Sequence, residues 1–217
     1  MYKNIRTESD PKIIGVNNGV YQVELNDRKS FVNKEEKKNY ENYFDGNFNS
    51  FSIDNFKNIE KNKVTILTYF PLKKAKETDF VSFSPNEMGL NFIISQKVLD
   101  IFESFNLCEF IKIPTKIEGF KNNFYTIGFP ITNYDFLDFP ESFFLDSLGN
   151  RNLIESYEEY DVKRYDIKVK KLKLRRKTSS NIIYSQIKGL FFSNELVEKL
   201  RQEDVVGFQI CDTELDF

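Results

Sequence analysis

The sequence predicts an α+β fold with a mixed or antiparallel sheet, short helices and two similar strand–serine–helix–strand units. Three observations predict it: short apolar runs typical of strands are separated by turn residues, few segments have helical periodicity, and the strands do not alternate regularly with helices. The 217 residues are 40% hydrophobic and 29% charged, so the chain is long and apolar enough to build a sizeable core.

Residues 1–78 are predicted to be irregular and to pack on a more regular domain of residues 79–217. Within the first part, residues 12–25 alternate apolar and polar side chains around an Asn-Asn-Gly sequence at residues 17–19. Asparagine and glycine readily adopt positive φ, so this pattern favours a hairpin. The polar stretch that follows is expected to form loops and one short helix near residues 34–44.

Further strands are predicted where apolar runs stop at turn residues. Residues 64–70 end at Pro71, which is the profile of a buried strand. Three later runs are typical of strands and their connections: "NNFYTIGFPI", "DFLDFPESFFLDS" and "YDIKVKKLKLRRK". A helix is also expected around residues 152–160.

Two stretches, residues 90–113 and residues 189–210, repeat one pattern at a constant offset of 98. In each stretch an apolar run ends at a serine, Ser95 or Ser193, whose hydroxyl can accept a hydrogen bond from the first turn of a helix. After each serine, apolar residues recur at helical spacing: Val98, Leu99, Phe102 and Phe105 in the first stretch, and Leu196, Val197 and Leu200 in the second.

Each of these helices is expected to end at a residue that tolerates the left-handed conformation, Asn106 in the first and Asp204 in the second. The chain should then return as a strand, "CEFIKI" or "GFQIC". The sequence leaves open whether the likeness reflects a duplication or only two capped helices between strands.

The composition excludes most catalytic and metal chemistry. There is no histidine, which removes serine–histidine and cysteine–histidine nucleophile pairs and the common histidine metal sites. The two cysteines, Cys108 and Cys211, are expected to be buried free thiols and not ligands. Neither phosphate-binding glycine motif occurs. We therefore expect no catalytic residue, no metal and no cofactor.

An acidic cluster precedes the most basic part of the chain. Glu155, Glu158, Glu159 and Asp161 could in principle supply the acid and base of a glycoside hydrolase, which needs one carboxylate in an apolar pocket. Here the neighbours are tyrosines and charged residues, so a solvated helix face is the favoured interpretation. The three glutamates are also candidates for contact with a partner.

Residues 162–177 carry nine basic residues and one acid, a charge of +8, which leaves −10 on the rest of a chain of net charge −2. The candidates for partner contact in this segment are Lys168, Lys170, Lys173, Arg175 and Arg176. Such a segment can bind nucleic acid or an acidic protein, or it can be a solvated strand whose lysines prevent aggregation. The overall acidity makes nucleic acid the less favoured partner.

The motif order resembles a family of bacterial immunity proteins from polymorphic toxin systems over roughly residues 79–210. The residues that carry the resemblance are, in order, "DFVSF", "GLNFIISQKVLDIFESFNLCEFIKIPTKI", "NFYTIGFPI", "YDFLDFPESFF" and "GLFFSNELVEKLRQEDVVGFQI". The resemblance implies a binding protein and not an enzyme, whose partner is a cognate protein toxin. The acidic body would suit a basic toxin and the basic segment an acidic toxin face, and the sequence does not choose between them.

The expected location is the cytoplasm, without membrane contact. The first residues, "MYKNIRTESDPK", lack the apolar core of a secretory signal, and no apolar run approaches the roughly 18 residues of a membrane span.

Overall fold

A computed structural model describes residues 1–17, 21–44, 51–59, 64–87 and 89–217. These residues form fifteen strands in two sheets, five short α-helices and two 3-10 turns, so the predicted α+β class is confirmed. The helices are α1 (Pro11–Ile14), α2 (Lys34–Phe44), α3 (Gln96–Glu103), α4 (Tyr157–Lys163) and α5 (Asn194–Gln202), and the 3-10 turns are Phe56–Asn58 and Tyr134–Phe136.

One sheet has eight strands and the other has seven. The eight-stranded sheet contains β1 (Tyr2–Thr7), β9 (Ile131–Thr132), β10 (Phe143–Leu145), β11 (Arg151–Asn152), β12 (Lys168–Lys173), β13 (Ile182–Ser185), β14 (Gly189–Ser193) and β15 (Phe208–Asp216), in the order β11-β10-β12-β15-β1-β14-β13-β9. The seven-stranded sheet contains β2 (Val23–Leu25), β3 (Leu67–Pro71), β4 (Phe80–Val81), β5 (Phe83–Ser84), β6 (Phe92–Ser95), β7 (Ile111–Ile117) and β8 (Phe124–Gly128), in the order β4-β6-β8-β7-β3-β2-β5.

The two sheets repeat one pairing scheme over five strands. In the first repeat, β4, β6, β8 and β7 are antiparallel neighbours and β7 then pairs with β3 in parallel. In the second repeat, β13, β14, β1 and β15 are antiparallel neighbours and β15 pairs with β12 in parallel. The position of β8, which follows β7 along the chain, is therefore taken in the second repeat by β1 from the start of the chain.

The serine at the start of each repeated helix lies at the same place in this scheme. Ser95 lies opposite Phe124 of β8, and Ser193 lies opposite Tyr2 of β1. Their side chains accept hydrogen bonds from the backbone N–H groups of Val98, at 3.5 Å, and Leu196, at 3.2 Å. Both predicted N-caps are thus confirmed.

The predicted helix ends are correct in one repeat and wrong in the other. Asp204 has a φ of 49° and follows α5 closely, as expected. Asn106 does not close α3, which ends at Glu103 with Ser104 in a right-handed conformation. The hydroxyl of Ser104 donates to the carbonyl of Ile101, so this side chain satisfies a terminal carbonyl before Asn106 is reached.

The prediction of a strand at the start of the hairpin is wrong. Residues 11–14 are helical because the Asp10 carboxylate accepts from the N–H of Lys12 and Pro11 occupies the first turn, two start signals that outweigh the apolar alternation. The predicted turn lies partly outside the described residues. Val23–Leu25 does form a strand, but it pairs with β3 and β5.

Other elements differ from expectation mainly in their bounds. The helix near residues 34–44 is confirmed as α2. The helix expected around residues 152–160 begins only at Tyr157, because Ser156 caps it and Arg151–Asn152 pair with β10. The strand expected at residues 64–70 covers Leu67–Pro71.

Three apolar clusters hold the sheets together. One lies on the α2 side of the seven-stranded sheet, and another lies on the α4 side of the eight-stranded sheet. The central cluster joins the repeats and includes Phe102 of α3, Leu200 of α5, Phe92 of β6 and Phe192 of β14. Cys108 and Cys211 are free but only half-buried, so the expectation that both are buried is wrong; Cys108 packs against the edge of the central cluster.

Strand pairing crosses the predicted boundary between residues 78 and 79. β1 lies between β14 and β15, and β3 pairs with β7. The division into two parts at that boundary stays a prediction.

Candidate functional site

The middle of the basic segment forms β12, an interior strand between β10 and β15, while its first two residues belong to α4. Val169 and Leu172 of this strand are buried in the cluster beneath α4. The lysines between them, Lys170 and Lys171, are half-buried. The apolar residues fix the strand in the sheet, and the long lysine side chains keep their charged ends in water while their stems cover the strand.

The acidic strand β15 runs parallel to β12 and compensates part of its charge. The ammonium of Lys171 lies 2.9 Å from the Asp216 carboxylate, and that of Lys168 lies 3.9 Å from Asp212. The hydrogen bond from Lys171 lowers the pKa of Asp216 below its ordinary value. On the other side of β15, Lys3 of β1 pairs with Glu214. Alternating charges on three adjacent strands thus form a mixed ionic face.

Most of the basic candidates do not form ion pairs on this face. The guanidinium Nε of Arg175 donates to the carbonyl of Leu137 at 2.9 Å. Within the described part of the chain, Lys170, Lys173 and Arg176 make no ion pair. Arg175 makes no ion pair there either, so Lys168 is the one of the five basic candidates whose charge lies beside a carboxylate among the described residues.

The acidic candidates gather at the N-terminus of α4, where the Glu159 side chain helps to cap the helix. The Ser156 hydroxyl accepts from the N–H of Glu159 at 3.3 Å, and the Glu159 carboxylate accepts from the N–H of Glu155 at 2.8 Å. This reciprocal pattern resembles a capping box, except that Glu159 accepts from the residue before the N-cap and not from the N-cap itself. Glu159 also pairs with Lys163 at 2.6 Å, whereas Glu155 and Glu158 are exposed.

The pKa values of this cluster are shifted in the direction opposite to that of a catalytic acid. Hydrogen bonds, first from Lys163 and then from the Glu155 backbone, lower the pKa of Glu159. Backbone and Ser156 hydrogen bonds lower the pKa of Glu158. A glycosidase acid needs a raised pKa, so the arrangement suits ionised, solvated carboxylates.

A cleft of about 480 Å³ lies between the two repeats. Arg6 and Lys188 line it together with Glu87 and Tyr184. Burial and then the nearby Arg6 charge lower the pKa of Lys188. The described residues contain no group of three or more side chains placed to hold a metal ion, and none of their helices is long and apolar enough to cross a bilayer.

Sequence reasoning missed two features of this region. The carboxylates of β15 were not recognised as partners of the basic strand, because parallel pairing of strands some 45 residues apart leaves no local signal. Several exposed apolar residues of the 148–165 stretch were also missed, because Leu153 and the buried Ile154 are adjacent and nothing local tells which of them faces water.

No protein-family model matches this chain, and no curated protein matches it either. The resemblance to immunity proteins therefore stays an expectation based on motif order.

Proposed function

We propose that this protein binds a cognate bacterial protein toxin stoichiometrically and neutralises it, acting by binding and without a cofactor. The observation that carries the proposal is the order of motifs along residues 79–210, from the first serine-capped helix to the second. In the structure these two helices occupy equivalent places in two repeats and share one core.

The surface chemistry supports recognition of a protein. The eight-stranded sheet presents charges of both signs on β12 and β15, and among the described residues Lys170, Lys173, Arg175 and Arg176 make no ion pair. Complementary charge speeds encounter and selects the partner, while buried apolar anchors supply most of the affinity.

Co-expression with the toxin encoded by the gene immediately upstream tests the proposal. Growth should be restored, and the two purified proteins should elute together on gel filtration at a 1:1 ratio. A Leu196→Asp variant, which places a charge in the central core, serves as an unfolded control that should not protect. Persistent toxicity together with separate elution of folded protein and toxin would contradict the proposal.

A role in nucleic-acid binding has weaker support. The lysines of β12 would have to contact phosphates beside Asp212, Glu214 and Asp216 on the adjacent strand, which repel them.

A further inference from the structure

The most exposed large apolar side chains are concentrated in one stretch of the chain. Tyr165 is 85% exposed, Leu148 84%, Val162 81% and Leu153 65%. Outside this stretch, among the described residues, only Val32 at 63% approaches them. Isolated exposed apolar residues are normal on a protein surface, but a concentration of them marks a site of interaction.

The fold places this stretch at one end of the eight-stranded sheet. Leu145 of β10 lies opposite Arg151 of β11 and Lys168 of β12. The hairpin turn that carries Leu148 therefore adjoins the chain that leads from Tyr165 into β12. We call residues 146–150 and 153–165 the rim; it borders the edge strand β11.

The turn that presents Leu148 is held rigidly. One oxygen of the Asp146 carboxylate accepts from the N–H groups of Leu148, at 2.9 Å, and Asn150, at 2.8 Å, and the other accepts from the Asn150 side chain. Gly149 adopts a φ of 85°, which closes the turn. Leu148 is thus exposed on an ordered backbone and loses little further entropy on binding.

Tyr165 and Val162 are also held in defined positions. The Arg164 guanidinium lies 4.9 Å from the Tyr165 ring centroid, donates to its hydroxyl at 3.0 Å, and is itself paired with Asp161 at 3.1 Å. Val162 lies on α4, whose opposite side is anchored by the buried Tyr160 ring. Exposed side chains with fixed geometry are typical of anchors at protein interfaces.

The charge of the rim indicates the chemistry of the partner. Its residues carry a net charge of −3. The positive charges of Lys163 and Arg164 are compensated within the rim by ion pairs with Glu159 and Asp161. Glu155 and Glu158 remain exposed without an ion pair among the described residues. A partner that covers the rim therefore gains by presenting cations.

We propose that the rim is the docking surface for the protein partner, and that the partner presents a basic face with apolar pockets for Leu148, Val162 and Tyr165. This inference rests on the proposed toxin-binding function. It assigns the contact to the acidic end of the sheet and not to the basic strand β12.

Titration of the upstream-encoded toxin with a Leu148→Asp/Val162→Asp variant tests the apolar anchors. Loss of two central anchors should weaken binding by at least about 30-fold, as expected for residues at an interface hot spot. Val32→Asp is the matched control, since Val32 is similarly exposed but lies outside the rim, and it should bind as the wild type does.

Charge reversal tests the basic face of the partner. Glu158→Lys should slow association by about 10-fold at low salt, with the difference shrinking as salt rises. Glu195→Lys is the matched control, because both glutamates lie exposed in the first turn of a helix and lose the same favourable interaction with the helix N-terminus.

The outcomes separate the two proposals. If the wild type binds the toxin and the rim variants bind it with the same affinity, the docking proposal is overturned and the toxin-binding function is not. Absence of binding by the folded wild type would overturn both. A wild type that does not bind toxin but sediments as a dimer, and becomes monomeric in the Leu148→Asp/Val162→Asp variant, would show that the rim joins two copies of this chain and would overturn the docking proposal.

Discussion

Moving β1 to the other end of the chain should preserve the fold, because β1 occupies the place that β8 holds in the first repeat. Tyr2 of β1 lies opposite Leu215 of β15, and the N-terminal ammonium is 4.0 Å from the Asp216 carboxylate. A six-residue Gly/Ser linker from Phe217 to Met1 would reproduce the direct β7–β8 connection. New termini between Glu8 and Ser9 complete the permuted chain.

The expected cost of this permutation is small. The opened site holds two exposed hydrogen bonds, from the N–H groups of Ser9 and Asp10 to the Glu8 carboxylate. At about 0.5–1.5 kcal/mol each, their loss lowers the free energy of unfolding by at most about 3 kcal/mol. For a chain of this size the Tm should fall by no more than about 12 °C.

Deletion of residues 1–8 is the contrasting control. It removes the buried side chains of Tyr2 and Ile5, each worth about 1.5–3 kcal/mol of transfer from water, and unpairs both β14 and β15. With the lost ladder hydrogen bonds the total is about 5–10 kcal/mol, comparable to the whole stability of a domain. Thermal unfolding followed by circular dichroism compares the three proteins. An unfolded permutant, or a deletion variant as stable as the parent, would refute the reasoning.

Three further outcomes are expected. Ser95→Ala and Ser193→Ala should each lower the free energy of unfolding by about 1 kcal/mol in urea titrations, because each removes an N-cap. Phe192→Ala should cost about 3–5 kcal/mol by the same measurement, because the fully buried ring packs against those of Phe80, Phe92 and Phe102. The lowered pKa of Asp216 means that its stabilising contribution is present above its ordinary pKa, about pH 4, and is lost as pH falls through the lower folded value, so Asp216→Asn should flatten the acid side of a stability–pH curve.

Local signals were sufficient to predict the two serine-capped helices. Each helix requires only a hydroxyl at its N-cap and an apolar face of one or two turns. Both features lie within about ten consecutive residues. The same kind of signal failed at residues 11–14, where the alternation of apolar residues and the Asp-Pro start of a helix compete over a few positions.

Pairings between distant segments were not predictable from the sequence. The insertion of β1 between β14 and β15 joins residues more than 180 positions apart, and no local pattern specifies it. The ion pair of the basic candidate Lys168 depends on the parallel alignment of β12 with β15, so the sequence alone did not show which basic candidates are paired. The acidic candidates were easier to interpret, because the hydrogen bonds of Ser156 and Glu159 that cap α4 are local.

The two repeats are joined by reciprocal polar contacts as well as by a shared core. In the first repeat, Asp79 accepts from the Ser95 hydroxyl at 2.7 Å and from the N–H of Val206, just beyond α5, at 3.0 Å. In the second, Asn181 accepts from the Ser193 hydroxyl at 2.7 Å and donates to the carbonyl of Asn106, just beyond α3. Asp79 and Asn181, which each precede the first strand of a repeat, thus bond the capping serine of their own repeat. Each also bonds the chain just beyond the helix of the other repeat. Each half therefore completes hydrogen bonds of the other, so neither repeat satisfies these polar groups by itself.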